Sequence, residues 1–190
     1  MKRLGFLLML ALTALPFAGK AEDAPVSGAS YEACSMVASQ YLTTVQLLQQ
    51  GLEPEILKET LPGLTEEGAR RIDAIHDQVS NAGFLETYSG INARFARCAR
   101  QVYEAQGEPQ RGEREHHFYV CAGENKIRYE ILLAAWAGGD REEVLQQLQP
   151  QHQVAANSIY DLYKDEGAVT VFHQLATELK QCLSTGHYRQ

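Results

Sequence analysis

The sequence predicts an all-α fold, a helical bundle built from two tandem, disulfide-stapled helical repeats. Three observations lead there. Apolar residues recur at alternating steps of three and four, the stripe of a helix packed against others. Glycine, proline and capping residues punctuate those stripes where helices would stop and start. Four cysteines fall as two pairs, Cys34 with Cys98 before the charged stretch 104–115 and Cys121 with Cys182 after it.

Residues 1–21 read as a secretory signal peptide. Lys2 and Arg3 supply a basic start, Leu4 to Leu15 is uncharged and almost wholly apolar, and Pro16 breaks it. Gly19 and Ala21 fit the small-x-small cleavage preference, and the apolar run is too short to span a bilayer. No cysteine stands at the junction, so no lipid anchor is expected. The mature chain is expected to be soluble, without a stable membrane anchor, in the periplasm or outside the cell. Residues 22–30 form a flexible lead-in.

Repeat 1 is placed at 31–103. Cys34, Val37, Ala38, Tyr41, Leu42, Val45 and Leu48 lie on one helical stripe that stops at Gly51, and Pro54 is suited to the first turn of a short helix. Thr65 reads as a cap, with Glu66 and Glu67 complementing the positive helix start. Tyr88, Ile91, Phe95, Cys98 and Val102 form the stripe of the closing helix, which follows a positive-φ turn at Gly83. Residues 104–115, with Gly107, Pro109, Gly112 and many charges, are composed like a linker.

Repeat 2 is placed at 116–185. A helix from Phe118 stops at Gly138 and Gly139, and Asp140 with Glu143 makes a capping-box-like start for a short helix that ends near Pro150. A shift of 84 superposes Gly83 on Gly167 and Cys98 on Cys182, and a shift of 87 superposes Cys34 on Cys121. Identity between the halves is sparse, and chance similarity is the competing reading. Ile127 to Ala137 is apolar nearly all round, so this helix is expected at the centre, joining both repeats into one compact domain with Trp136 in the core.

Four cysteines allow three connectivities. In an antiparallel bundle the end of the last helix returns beside the start of the first, which favours Cys34–Cys98 and Cys121–Cys182. An oxidising compartment favours bridges over free thiols or metal ligands.

Charge excludes some partners. The chain carries 17 basic and 24 acidic residues, net −7. Loss of Lys2, Arg3 and Lys20 with the signal leaves 14 against 24, about −10. Such a chain has no counterion-release drive toward nucleic acid or anionic lipid.

No metalloprotease, nucleophile-elbow, phosphate-loop or CxxC string occurs. Neither catalytic residue nor cofactor is expected. Glu113, Glu115, His116 and His117 are the best metal candidates, yet they lack a convergent fourth ligand, and a solvated helix junction explains them as well. Glu124 and Arg128, four residues apart beside an apolar stripe, are either an ordinary ion pair or the polar part of a ligand site with Tyr129 and Trp136. The layout is similar to a general pattern of small exported bacterial proteins, which implies no particular activity. The expected role is therefore non-enzymatic: binding an envelope or secreted protein in the manner of an inhibitor or immunity factor. The alternative is a small apolar ligand held between helices; an envelope hydrolase is the weaker third reading.

Overall fold

The computed structural model describes residues 29–185, so the expected signal at 1–21 and most of the lead-in lie outside the described residues. Those described form seven α-helices and no strand. None of these helices is long and apolar enough to cross a membrane.

Helix α1 (Tyr31–Gln49) starts where the Ser30 hydroxyl accepts from the Ala33 amide at 3.1 Å. Its first amides have a second partner, because Glu115 Oε2 accepts from Tyr31 N at 2.7 Å and from Glu32 N at 3.3 Å. A carboxylate from a distant helix thus meets the positive end of α1. Pro54 opens α2 (Pro54–Thr60), where its missing N–H costs nothing. Thr65 caps α3 (Glu66–Gln106) by accepting from Gly68 N at 3.1 Å.

Helix α3 runs through Gly83, which is kinked at φ 82°, ψ 169°. The expected left-handed turn thus has the positive φ but an extended ψ, a combination that only glycine adopts readily. Gly167 repeats it at φ 81°, ψ 171°, between α6 (Pro150–Glu166) and α7 (Ala168–Ser184).

Helix α4 spans Arg114–Trp136, four residues longer at its start than the apolar stripe indicated. With α3 continuing to Gln106, only 107–113 connect the two, against the 104–115 expected. Charged residues had suggested a linker, but Glu and Arg are good helix formers once one face has a partner. Asp140 caps α5 (Arg141–Gln147) by accepting from Glu143 N at 3.0 Å.

Two disulfides, Cys34–Cys98 and Cys121–Cys182, each with Cα atoms 5.8 Å apart, join α1 to α3 and α4 to α7. No cysteine is left free.

The core lies among α1, the part of α3 after Gly83, α4 and α7, where Leu42, Tyr88, Leu132 and Phe172 are completely buried. Helix α4 touches α1, α3, α5, α6 and α7. That centrality follows from its nearly continuous apolar surface between Ile127 and Ala135. Trp136 departs from expectation: it is half-buried and outside the core, because it stands at the last residue of α4, where the chain turns into Gly138 and Gly139. Buried polar groups join the halves. Asn125 Nδ2 donates to Asn92 Oδ1 at 3.0 Å, and Gln46 Nε2 donates to the His173 carbonyl at the same distance.

Burial and neighbouring negative groups push the Tyr31 phenol up to about 12, and burial raises Tyr88 further. Raised phenol values stabilise the fold fully below about pH 10, the unfolded value, and this contribution is lost as pH climbs through the folded values. Alkaline unfolding should therefore set in above pH 10, with phenolate absorbance from Tyr88 appearing only as helix is lost. Tyr88→Phe should flatten that fall in stability. Titration of all nine tyrosines near pH 10 with the helices intact would contradict this.

Candidate functional site

The residues singled out from the sequence do not form one cluster. Glu124 and Arg128 pair as expected, but Arg128 also reaches Glu178 Oε2 on α7 at 3.1 Å, and His152 Nδ1 on α6 lies 3.9 Å from Glu124 Oε1. Gln174 Nε2 donates to the other oxygen of Glu178 at 3.0 Å. Glu124, Arg128, Gln174 and Glu178 stand at a groove of about 780 Å³ between α4, α6 and α7, whose wall includes Ile159, Leu162, Val171 and Leu175. Tyr129 points elsewhere, its hydroxyl 3.1 Å from Ser89 Oγ on α3 and its ring against Phe172. Trp136 does not line this groove.

Glu113, Glu115, His116 and His117 are likewise dispersed. Glu115 holds the start of α1, Glu113 Oε2 accepts from Gln110 N at 3.1 Å, and His116 leans on Tyr119. His117 Nε2 lies 3.8 Å from the bridged Cys121 sulfur. Among the described residues no group of three or more His, Cys, Asp or Glu side chains is placed to hold a metal ion.

A second groove, of about 430 Å³, lies between α3 and α4 beside the start of α1. Its floor is Ala96, Ala99, Ala122 and Gly123, small residues that let the two helices leave an open trough. Tyrosines wall it. Tyr31 meets Tyr119 edge-on with ring centres 5.2 Å apart, and Tyr119 lies nearly parallel to Tyr103 at 6.4 Å. The Tyr31 hydroxyl donates to the Gly107 carbonyl at 3.0 Å, which fixes its ring. Tyr103 is 51% exposed.

Cations rim this groove. Arg100 and Lys126 each have one exposed carboxylate partner, Glu104 and Glu130, from their own helix. Arg97, also on the rim, has no hydrogen-bond or ion-pair partner among the described residues, nor does Arg94 one turn earlier. Three arginines at steps of three thus stand on one helix of an acidic chain. Their spacing was visible in the sequence, but the net charge hid its meaning, since a local basic strip can persist in an acidic protein. The groove itself joins residues of α1, α3 and α4, and no periodicity within one helix displays that.

Comparison with known proteins finds no matching family model, no matching curated protein and no matching solved structure.

Proposed function

We propose that this is an exported, non-enzymatic protein-binding factor of the cell envelope and that the α3–α4 groove is its binding face. The observation that carries this reading is the pre-formed tyrosine wall beside Arg97, which has no partner among the described residues. Tyrosine and arginine dominate protein-binding hot spots, because each offers large contact area with a polar end. Export is supported by the basic-then-apolar start of the chain and by the two disulfides, which fit an oxidising compartment.

The two halves are also read as tandem repeats related by an approximate two-fold. The matching geometry at Gly83 and Gly167 supports this, as does the parallel stacking of Tyr88 on Phe172, each five residues past its glycine, with ring centres 5.8 Å apart. Failure of the halves to superpose in an experimental structure would remove that idea. On this reading the α3–α4 groove is a place where the copies have diverged.

The test is photocrosslinking in cells of the source organism. A photoreactive phenylalanine at Tyr103 should give one discrete protein adduct that disappears when Gly123→Leu fills the floor. No adduct, or one indifferent to that substitution, overturns the assignment. The larger groove between α4, α6 and α7 favours the second reading, a small apolar ligand. It ranks lower because its charged rim is already satisfied within the chain. A co-purifying small molecule seen by native mass spectrometry would raise it.

A further inference from the structure

We infer that the partner segment received by the α3–α4 groove is acidic, and that it sets one aromatic or aliphatic side chain on the floor over Gly123 with carboxylates on either side. The inference rests on the protein-binding reading above and adds the chemistry of what is bound.

Gly123 is the first reason. It lies inside α4, where glycine is among the poorest residues for holding a helix. A Cβ built there would meet nothing within 4 Å. Other glycines of this chain have an internal cause. At Gly139 a Cβ would come within 2.9 Å of the Ala134 carbonyl oxygen, and Gly51 and Gly83 have positive φ. Gly123 has neither crowding nor an unusual backbone. Its missing side chain keeps open a trough that the chain itself does not fill, and a body from outside can approach the backbone of α4 there.

The walls set what that body is. Tyr103 and Tyr119 present aromatic faces held nearly parallel, at 15°, and Tyr31 is fixed by its bond to Gly107. Little side-chain freedom is left to lose on binding, so a flat or compact apolar group is favoured over a long polar one. A trough of about 430 Å³ admits one such anchor with its neighbours.

Charge sets the flanks. Arg97 is exposed and has no partner among the described residues, Arg94 extends the strip by one turn, and Arg100 and Lys126 hold exposed carboxylates that a ligand can displace. An arginine offers a planar fork that matches a carboxylate in two hydrogen bonds. Acidic flanks around an apolar anchor are therefore the complement of this face, and like charge elsewhere on the chain, net −7, steers such a segment away from the rest of the surface.

The test is selection of random dodecapeptides displayed on phage against the full exported protein, followed by anisotropy titration of the enriched peptides. Enriched sequences should carry Asp or Glu on both sides of one aromatic or aliphatic residue. Their Kd should rise at least tenfold for Arg97→Glu, with a weaker salt dependence, and binding should vanish for Gly123→Leu. Both variants should keep the wild-type thermal midpoint, since the first alters an exposed side chain and the second adds a helix former in open space. Should Gly123→Leu fail to fold, Arg97→Glu and Tyr103→Ala carry the test alone.

Enriched peptides without acidic residues, blocked by Gly123→Leu but indifferent to Arg97→Glu, overturn the acidic partner and leave the binding face standing. Peptides indifferent to every variant, or no enrichment at all, overturn both. Preferential binding of a single-stranded oligonucleotide, or a concentration-dependent dimer that Gly123→Leu abolishes, overturns the acidic segment in favour of that occupant.

Discussion

Phe172→Ala should destabilise the protein by about 3–5 kcal/mol and shift one cooperative transition as a whole. The ring is completely buried and stands where three helices meet. It stacks on Tyr88 of α3 with ring centres 5.8 Å apart, and Tyr129 of α4 tilts against it at 6.1 Å. Truncation leaves a cavity bounded by rigid rings on two sides, which cannot collapse readily, so the cost belongs in the upper part of that range. Urea melts followed by circular dichroism and by the single tryptophan, Trp136, provide the check. The dichroism reports all seven helices and the indole only the end of α4, so coincident curves mean a single unit. A loss below 1 kcal/mol, or an early transition seen by one probe alone, would contradict the shared core. Val154→Ala, at a site 76% exposed, is the control and should change stability by less than about 0.5 kcal/mol.

That shared core was largely legible in the sequence, for a physical reason. Capping chemistry is local: Thr65, Asp140 and Pro54 mark helix starts because the orphan amides of a first turn need a partner within a few residues. Disulfide pairing was legible in part: an antiparallel return of the last helix of each half beside its first favoured the pairing observed, while the cysteine spacing alone left the other two connectivities open. What depends on several helices at once was not. The extra turn of α4 owes its start to Glu115 and Arg114, which reach Glu32 and the amides of α1, and no window on the sequence contains both partners. Trp136 was expected inside because it belongs to the nearly all-apolar stretch Ile127 to Ala137, yet it stands at the last residue of α4, where the packing of that helix runs out. The Glu124–Arg128 pair was found by spacing, whereas its bond to Glu178 and the divergence of Tyr129 toward Ser89 required the packing of α4 on α7 and α3.

Replacing each disulfide by alanines should cost roughly 4 kcal/mol, since the bridged residues are 64 and 61 positions apart and the chain-entropy term depends only on the logarithm of loop length. The two losses should nonetheless be unequal in where they act. At the end of α3 the chain is held by other means, the Tyr31 hydroxyl donating to the Gly107 carbonyl and Gln106 Nε2 donating to Ala29 O. At the end of α7 Lys180 Nζ donates to Gln46 Oε1 of α1, but beyond it the described hydrogen bonds are local, from Ser184 to the Gln181 carbonyl and from Thr185 to that of Cys182, with Leu183 adding a partly buried contact to the core. Below it Leu179 is core, so fraying stops there. Cys121→Ala/Cys182→Ala should therefore release the final turn of α7 at neutral pH, with amide exchange accelerating from 181 to 184. Cys34→Ala/Cys98→Ala should lose stability globally while local exchange at the end of α3 stays slow. Hydrogen exchange by mass spectrometry in mild native conditions separates the two. If the α7 end stays protected without its bridge, then packing rather than the covalent link holds that helix, and the stapled-unit account of the second half is wrong.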